Sequence, residues 1–133
     1  MNAHPYILII YLYVAESNSS RNEEGTFRSD IAYRVMTEYT GMIKEKVGLY
    51  PLVDRLVENR VISHVEKDQI IDTSTVLTAD QRMDKLLSLL KESIKEDGED
   101  FGLFLEIIKH VDTKRADRLA QTLLDKYKDY YVI

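Results

Sequence analysis

Residues 78–94 read TADQRMDKLLSLLKESI, and their spacing decides the fold class. Thr78 and Gln81 have the form of a capping box, in which side chains satisfy the free backbone N–H groups at a helix start. Met83, Leu86, Leu87, Leu90 and Ile94 then recur at i, i+3, i+4, i+7 and i+11, which puts them on one stripe of a helix. That stripe has to be covered, so other elements must pack on it. Upstream, Ser63-His64-Val65-Glu66 is a second capping box and starts a helix that runs to about Asp72, with the Thr-rich residues 73–77 as the connection. Before it, Pro51 suits the first turn of a helix that carries Leu52, Val53 and Leu56 inward and breaks at Asn59 and Arg60. Residues 30–47 precede this, with Ala32, Val35, Met36, Tyr39, Ile43 and Val47 on one face, a bend expected at Gly41 and a stop at Gly48.

Downstream, Gly98 closes a turn, Phe101, Phe104, Leu105 and Ile108 mark a fifth helix, and Thr113 begins a sixth through Ala116, Leu119, Ala120, Leu123 and Tyr127. The pattern predicts an all-α chain, a six-helix antiparallel bundle joined by short connections. A length of 133 residues with 44% hydrophobic and 31% charged positions suits one core and is too short for two ordinary domains. The absence of cysteine excludes disulfides, thiolate metal sites and Cys nucleophiles, and points to a reducing compartment. Eighteen basic residues against 23 acidic ones give a net charge of -5, which argues against nucleic acid as the main partner.

The first 29 residues read differently from the bundle at 30–133. Residues 6–15, YILIIYLYVA, form an apolar run, and residues 16–28, ESNSSRNEEGTFR, have no apolar period. Ten residues reach only about halfway through a bilayer, so no membrane span is expected there. The run has the length of a signal-peptide core, and Asn18-Ser19-Ser20 would then be a glycosylation sequon. Against that, no Lys or Arg precedes it and Tyr13 stands where a small residue is wanted before a cut at Ala15. The plainer expectation is an appendage on the domain.

The order of these elements resembles a known family. LVDRLVENRVIS at 52–63, a short capped helix, a Thr-rich loop, RMDKLLSLL at 82–90, FGLFL at 101–105 and RLAQTLL at 118–124 together resemble the caspase recruitment domain (CARD) of the death-fold superfamily, over about residues 39–128. Death domains and death effector domains are siblings with the same architecture. The resemblance implies a six-helix death fold with a bent first helix and no catalytic activity. It implies a cytoplasmic adaptor in apoptotic or innate-immune signalling, which binds other CARD or death-fold proteins, or copies of itself. The sequence departs from the family in carrying Arg60 where a glycine is common, which leaves Asn59 to supply any left-handed backbone, and Thr40 where many members have a basic residue.

The resemblance further implies that an acidic patch on the second and third helices meets a basic patch on the first and fourth of the next molecule. Asp54 and Glu58, and Asp68 and Asp72, supply the acids; Lys44, Lys46, Arg82 and Lys85 supply the cations. Each acidic pair is four residues apart and repels itself by about 0.2–0.5 kcal/mol on an exposed helix, a cost that a partner's cations relieve. Asp80 and Asp84 form a further like-charged pair with no role assigned to it. Lys109, Lys114, Arg115 and Arg118 make the start of the last helix basic, against the acids Glu96, Asp97, Glu99 and Asp100 at the fifth, and are candidates for a second charged contact between neighbouring copies.

Other constellations carry no chemistry. His4, His64 and His110 lack partners at metal spacing, and the glycines at 25, 41, 48, 98 and 102 make no phosphate loop. No cofactor and no enzyme are expected. Tyr127, Tyr130 and Tyr131 are expected to dock on the bundle. Two rival readings remain. One is a secreted helical receptor ligand with residues 6–15 removed; the other is a basic-faced scaffold on nucleic acid or anionic membrane.

Overall fold

The computed structural model describes residues 27–74, 76–111 and 114–132. Among them are seven α-helices and no strand: α1 (Ser29–Glu38), α2 (Thr40–Lys46), α3 (Leu49–Glu58), α4 (His64–Ile71), α5 (Ala79–Glu96), α6 (Glu99–His110) and α7 (Lys114–Tyr131). The chain is all-α in this region. The apolar run at 6–15, the Asn18 sequon, His4, Gly25, Thr75 and Thr113 lie outside the described residues. No helix among the described residues is long and apolar enough to cross a membrane.

Both capping boxes form. The Ser63 hydroxyl accepts the Glu66 N–H at 3.0 Å while the Glu66 carboxylate accepts the Ser63 N–H at 2.9 Å. Thr78 and Gln81 repeat the exchange at 3.1 and 2.9 Å. These pairs set the starts of α4 and α5 where the sequence puts them.

The helix expected over 30–47 is divided into α1 and α2. Its break falls at Tyr39 (φ -105°, ψ 15°), two residues before Gly41. Gly41 has no steric part in it, since an added Cβ would meet nothing within 4 Å. The Thr40 hydroxyl donates to the Met36 carbonyl at 2.9 Å, and back-bonding of this kind bends helices.

The end of α3 corrects another expectation. Asn59 has φ -94°, and Arg60 itself takes the left-handed conformation at φ 62°. There the Arg60 N–H donates to Val57 and the Val61 N–H to Leu56, at 3.0 and 2.9 Å, which closes the helix. A side chain in this region costs about 1–2 kcal/mol. Asn59 acts instead through its side-chain amide, which donates to the Arg55 carbonyl at 2.8 Å.

The stripe on α5 is the floor of the core. Met83, Leu86, Leu87, Leu90 and Ile94 are all buried, and α5 touches α1, α2, α3, α4 and α6. Helix α1 lies against both α5 and α7, and α6 pairs with α7. Helices α3 and α4 pack on each other and on α5, α3 also on α6, and neither packs against α1 or α7. They therefore form the side of the bundle remote from α1 and α7.

The core also reaches past the boundary expected at residues 29 and 30. Phe27, inside the stretch that reads as a polar linker, is only 6% exposed. Its ring meets Phe101 and Tyr127 edge-on at centroid distances of 5.3 and 5.1 Å, and Phe101 stacks on Tyr127 at 5.6 Å. The Tyr127 hydroxyl accepts the Arg28 N–H at 2.8 Å. Burial pushes that phenol well above the ordinary tyrosine range. Two glycines make room for the approach. A Cβ at Gly98 would stand 2.1 Å from the Phe27 carbonyl oxygen, and one at Gly102 would stand 2.6 Å from its ring. Each ring contact adds about 0.5–1.5 kcal/mol to the burial itself.

Candidate interaction surface

Helices α3 and α4 carry the acidic residues singled out in the sequence, and the structure sorts them into two kinds. Glu58 and Asp68 are exposed and make no hydrogen bond or ion pair among the described residues. Asp54 is 65% exposed in its side chain but is paired with Lys67, Nζ to Oδ1 at 3.2 Å, which ties α3 to α4. Asp72 is not on the helix: it follows the last residue of α4, and its carboxylate accepts both the Ser74 N–H and the Ser74 hydroxyl, at 2.9 and 2.8 Å. These bonds hold the Asp72 carboxyl below its ordinary range. The acidic face is thus Asp54, Glu58 and Asp68, with Asp72 turned into its own loop.

Between these acids the surface is partly apolar. An open groove of about 730 Å³ runs along the α3–α4 turn, lined by Val57, Val61 and Ile62 together with Glu58, Arg60, His64 and Glu66. Val65 stands beside it, exposed. A surface of this composition matches the apolar centre and charged rim of protein contacts.

The basic set changes more. Arg82 is 9% exposed, and its guanidinium Nη1 donates to the carbonyls of Ile70 and Asp72 at 2.6 and 3.1 Å. It fastens the end of α4 to α5 and is therefore withdrawn from any partner. Lys44 is clamped by Asp80 and Asp84, at 2.9 and 2.6 Å, and this pairing raises its pKa, with the Asp84 bond the larger cause. The like-charged pair Asp80 and Asp84 so acquires its role, which is to hold α2 on α5. Of the expected cations, Lys85 is exposed and Lys46 half-buried, and neither forms an ion pair among the described residues.

A different group of cations lies where the sequence did not direct attention. The ammonium groups of Lys91 and Lys95 on α5 lie 5.6 and 5.3 Å from the centre of the Tyr33 ring on α1. Arg34, the next residue, places its guanidinium 3.8 Å over the Tyr130 ring of α7, and Lys126 reaches the same ring at 5.2 Å. The Tyr130 hydroxyl donates to Glu38, which also pairs with Arg34 at 3.3 Å. Glu38 is held below the ordinary carboxylate range, first by the tyrosine hydroxyl. The signal for this band is present in the sequence as two i, i+4 pairs, Lys91 with Lys95 and Lys126 with Tyr130. Only the packing of α1 between α5 and α7 joins them.

The remaining groups resolve simply. Tyr127, Tyr130 and Tyr131 dock on the bundle, Tyr131 lying 5.8 Å from Tyr127. Asp100, one of the acids around Gly98, accepts the Ser93 hydroxyl, and burial raises its pKa. Lys109 pairs with Asp117 at 3.9 Å, while Lys114, Arg115 and Arg118 are exposed on the first turns of α7. Phe101, Phe104 and Leu105 are core residues. No group of three His, Cys, Asp or Glu side chains able to hold a metal ion occurs among the described residues. No protein-family model, curated protein or solved structure matches the chain.

Proposed function

We propose that this chain is a CARD-like interaction domain of the death-fold superfamily, which recruits other death-fold proteins or copies of itself and performs no chemistry of its own. Its setting is a cytoplasmic signalling assembly of the apoptotic or innate-immune kind. The observation that carries the reading is the acidic α3–α4 face: Glu58 and Asp68 stand unpaired, Glu58 in the wall of a partly apolar groove that Arg60 and His64 also line, on helices that turn away from α1 and α7. The element order supports it, since a first helix broken into α1 and α2 is followed by five more in the family's sequence. Unpaired charge of this kind contributes little to stability and much to the choice and register of a partner.

Capture of the chain against a panel of death-fold domains, itself included, tests the proposal. We expect concentration-dependent assembly with at least one member, abolished by Glu58→Lys with Asp68→Lys while the helical circular dichroism is kept. No capture across the panel, or equal capture by the doubly reversed chain, overturns it.

A further inference from the structure

We infer that Arg60 selects the partner of the α3–α4 face, and that this partner presents a carboxylate beside an apolar side chain, which the guanidinium and the groove receive together. The inference rests on the recruitment reading above and names the chemistry that the face demands. Its starting point is the backbone. Arg60 is the one residue with positive φ among the described residues, at 62°. Glycine takes that conformation freely and asparagine with modest effort, whereas an arginine there is strained. Strain of this kind persists where the surroundings enforce it, and it gathers at ligand clamps and binding sites. The fold itself makes no use of the side chain that causes the strain. Arg60 is exposed, and its guanidinium makes no hydrogen bond or ion pair among the described residues, while its backbone N–H closes α3.

The surroundings state what the guanidinium can take. Arg60 lines the groove together with the half-buried Val57 and Val61 and the buried Ile62. The carboxylates of the same groove leave it free. Glu66 accepts the Ser63 N–H, and Glu58, only two residues away, forms no ion pair among the described residues. An arginine left free beside its own chain's acids is available to a carboxylate from another, and its planar fork holds that group through two parallel bonds. Glu58 and the exposed Asp68 repel a phosphate dianion more strongly than a single carboxylate, which favours the carboxylate as the ligand. Apolar contact next to a two-bond arginine contact is the composition of an interface hot spot, where arginine is enriched. Glu58, in the same wall, then faces a cation of that partner, so the groove asks for an acid and a base around one apolar side chain.

The test pairs the full chain with the death-fold domain that it captures from the panel, and reads two quantities on each variant: affinity by titration calorimetry and melting by circular dichroism. Arg60→Gly is expected to melt higher than the parent by roughly 4 °C and to bind about tenfold more weakly or worse. Arg60→Gln keeps the strained side chain without its charge, and is expected to melt as the parent does and to bind as poorly as the glycine variant. Arg60→Lys keeps the charge without the planar fork and is expected to fall between. Arg60→Glu is expected to bind worst, and to be rescued when one exposed carboxylate of the captured domain is reversed to arginine. A purely structural role moves melting and binding down together in the glycine variant, and that outcome overturns the inference. Unchanged affinity in the glycine and glutamine variants overturns it too, and leaves recruitment standing where Glu58→Lys with Asp68→Lys still abolishes capture. Binding that requires phosphorylation of the captured domain overturns the carboxylate. Capture of nothing from the panel overturns this inference together with the reading it rests on.

Discussion

One end of the bundle is closed by aromatic rings and the other by aliphatic side chains with caps and a guanidinium around them. Where α6 and α7 receive residues 27 and 28, three aromatic rings meet within 6 Å, with Gly102 shaped to the Phe27 ring and Gly98 to the Phe27 backbone carbonyl. Where α3 turns into α4, the only fully buried residue of α4 is Ile70, and the join relies on the Ser63–Glu66 box, the Asp54–Lys67 pair and the reach of Arg82. The first end is held by close aromatic packing; the second by the buried Leu56, Ile62 and Ile70 with polar contacts around them, and of these the polar contacts are the ones that open at smaller cost. The surface assigned to partner recognition lies on the second. A face that is lightly held can adjust to what binds it, and ordering it on binding consumes part of the gain.

The contrast breaks most readily at the aromatic end. Phe27→Ala is expected to cost about 3–5 kcal/mol in urea unfolding, as for other buried phenylalanines. Gly102→Ala alone should cost about 1–3 kcal/mol, because its new methyl meets the Phe27 ring. In the Phe27→Ala background the same glycine substitution should become neutral or stabilising, since alanine is the better helix former. A double-mutant cycle that adds up without coupling would show that the ring does not set the glycine.

The polar end should respond less and more locally. Arg82→Ala is expected to lose about 1.5–3 kcal/mol with its two carbonyl bonds, and hydrogen exchange should quicken first in α4. Protection in α4 equal to that in α6 and α7 would erase the distinction between the ends. The smallest effect sharpens it: Arg60→Gly relieves the left-handed backbone and should raise stability by about 1 kcal/mol. A drop in its melting temperature would mean that the arginine side chain contributes more at the α3–α4 turn than its backbone costs.

The two ends also differ in how far the sequence discloses them. The all-α class, both capping boxes and the stripes on α5, α6 and α7 can be read from spacing, because a helix sorts its neighbours by period alone. Phe27 cannot. It stands alone in a polar stretch, and its burial depends on Gly98 and Gly102 some seventy residues away. Charges are legible by kind but not by direction. Arg82 and Lys85 are three apart on one helix, yet one reaches back under α4 and the other faces outward, a distinction fixed by where α4 ends. Lys44 is taken up by Asp80 and Asp84 for the same reason, as the approach of α2 to α5 is a tertiary fact.

The sequence contains no tryptophan, so near-ultraviolet absorption and emission belong to its tyrosines. Tyr127 is the fully buried tyrosine among the described residues, with its hydroxyl bonded to a backbone N–H and its ring faced by two phenylalanines. A chiral, rigid surrounding of that sort gives this phenol a dichroic signal that responds to its contacts, beside those of Tyr33 and Tyr130, whose rings are held by cations. The molecule thus carries its own optical label for the seating of residue 27, readable without a dye and without altering a single side chain.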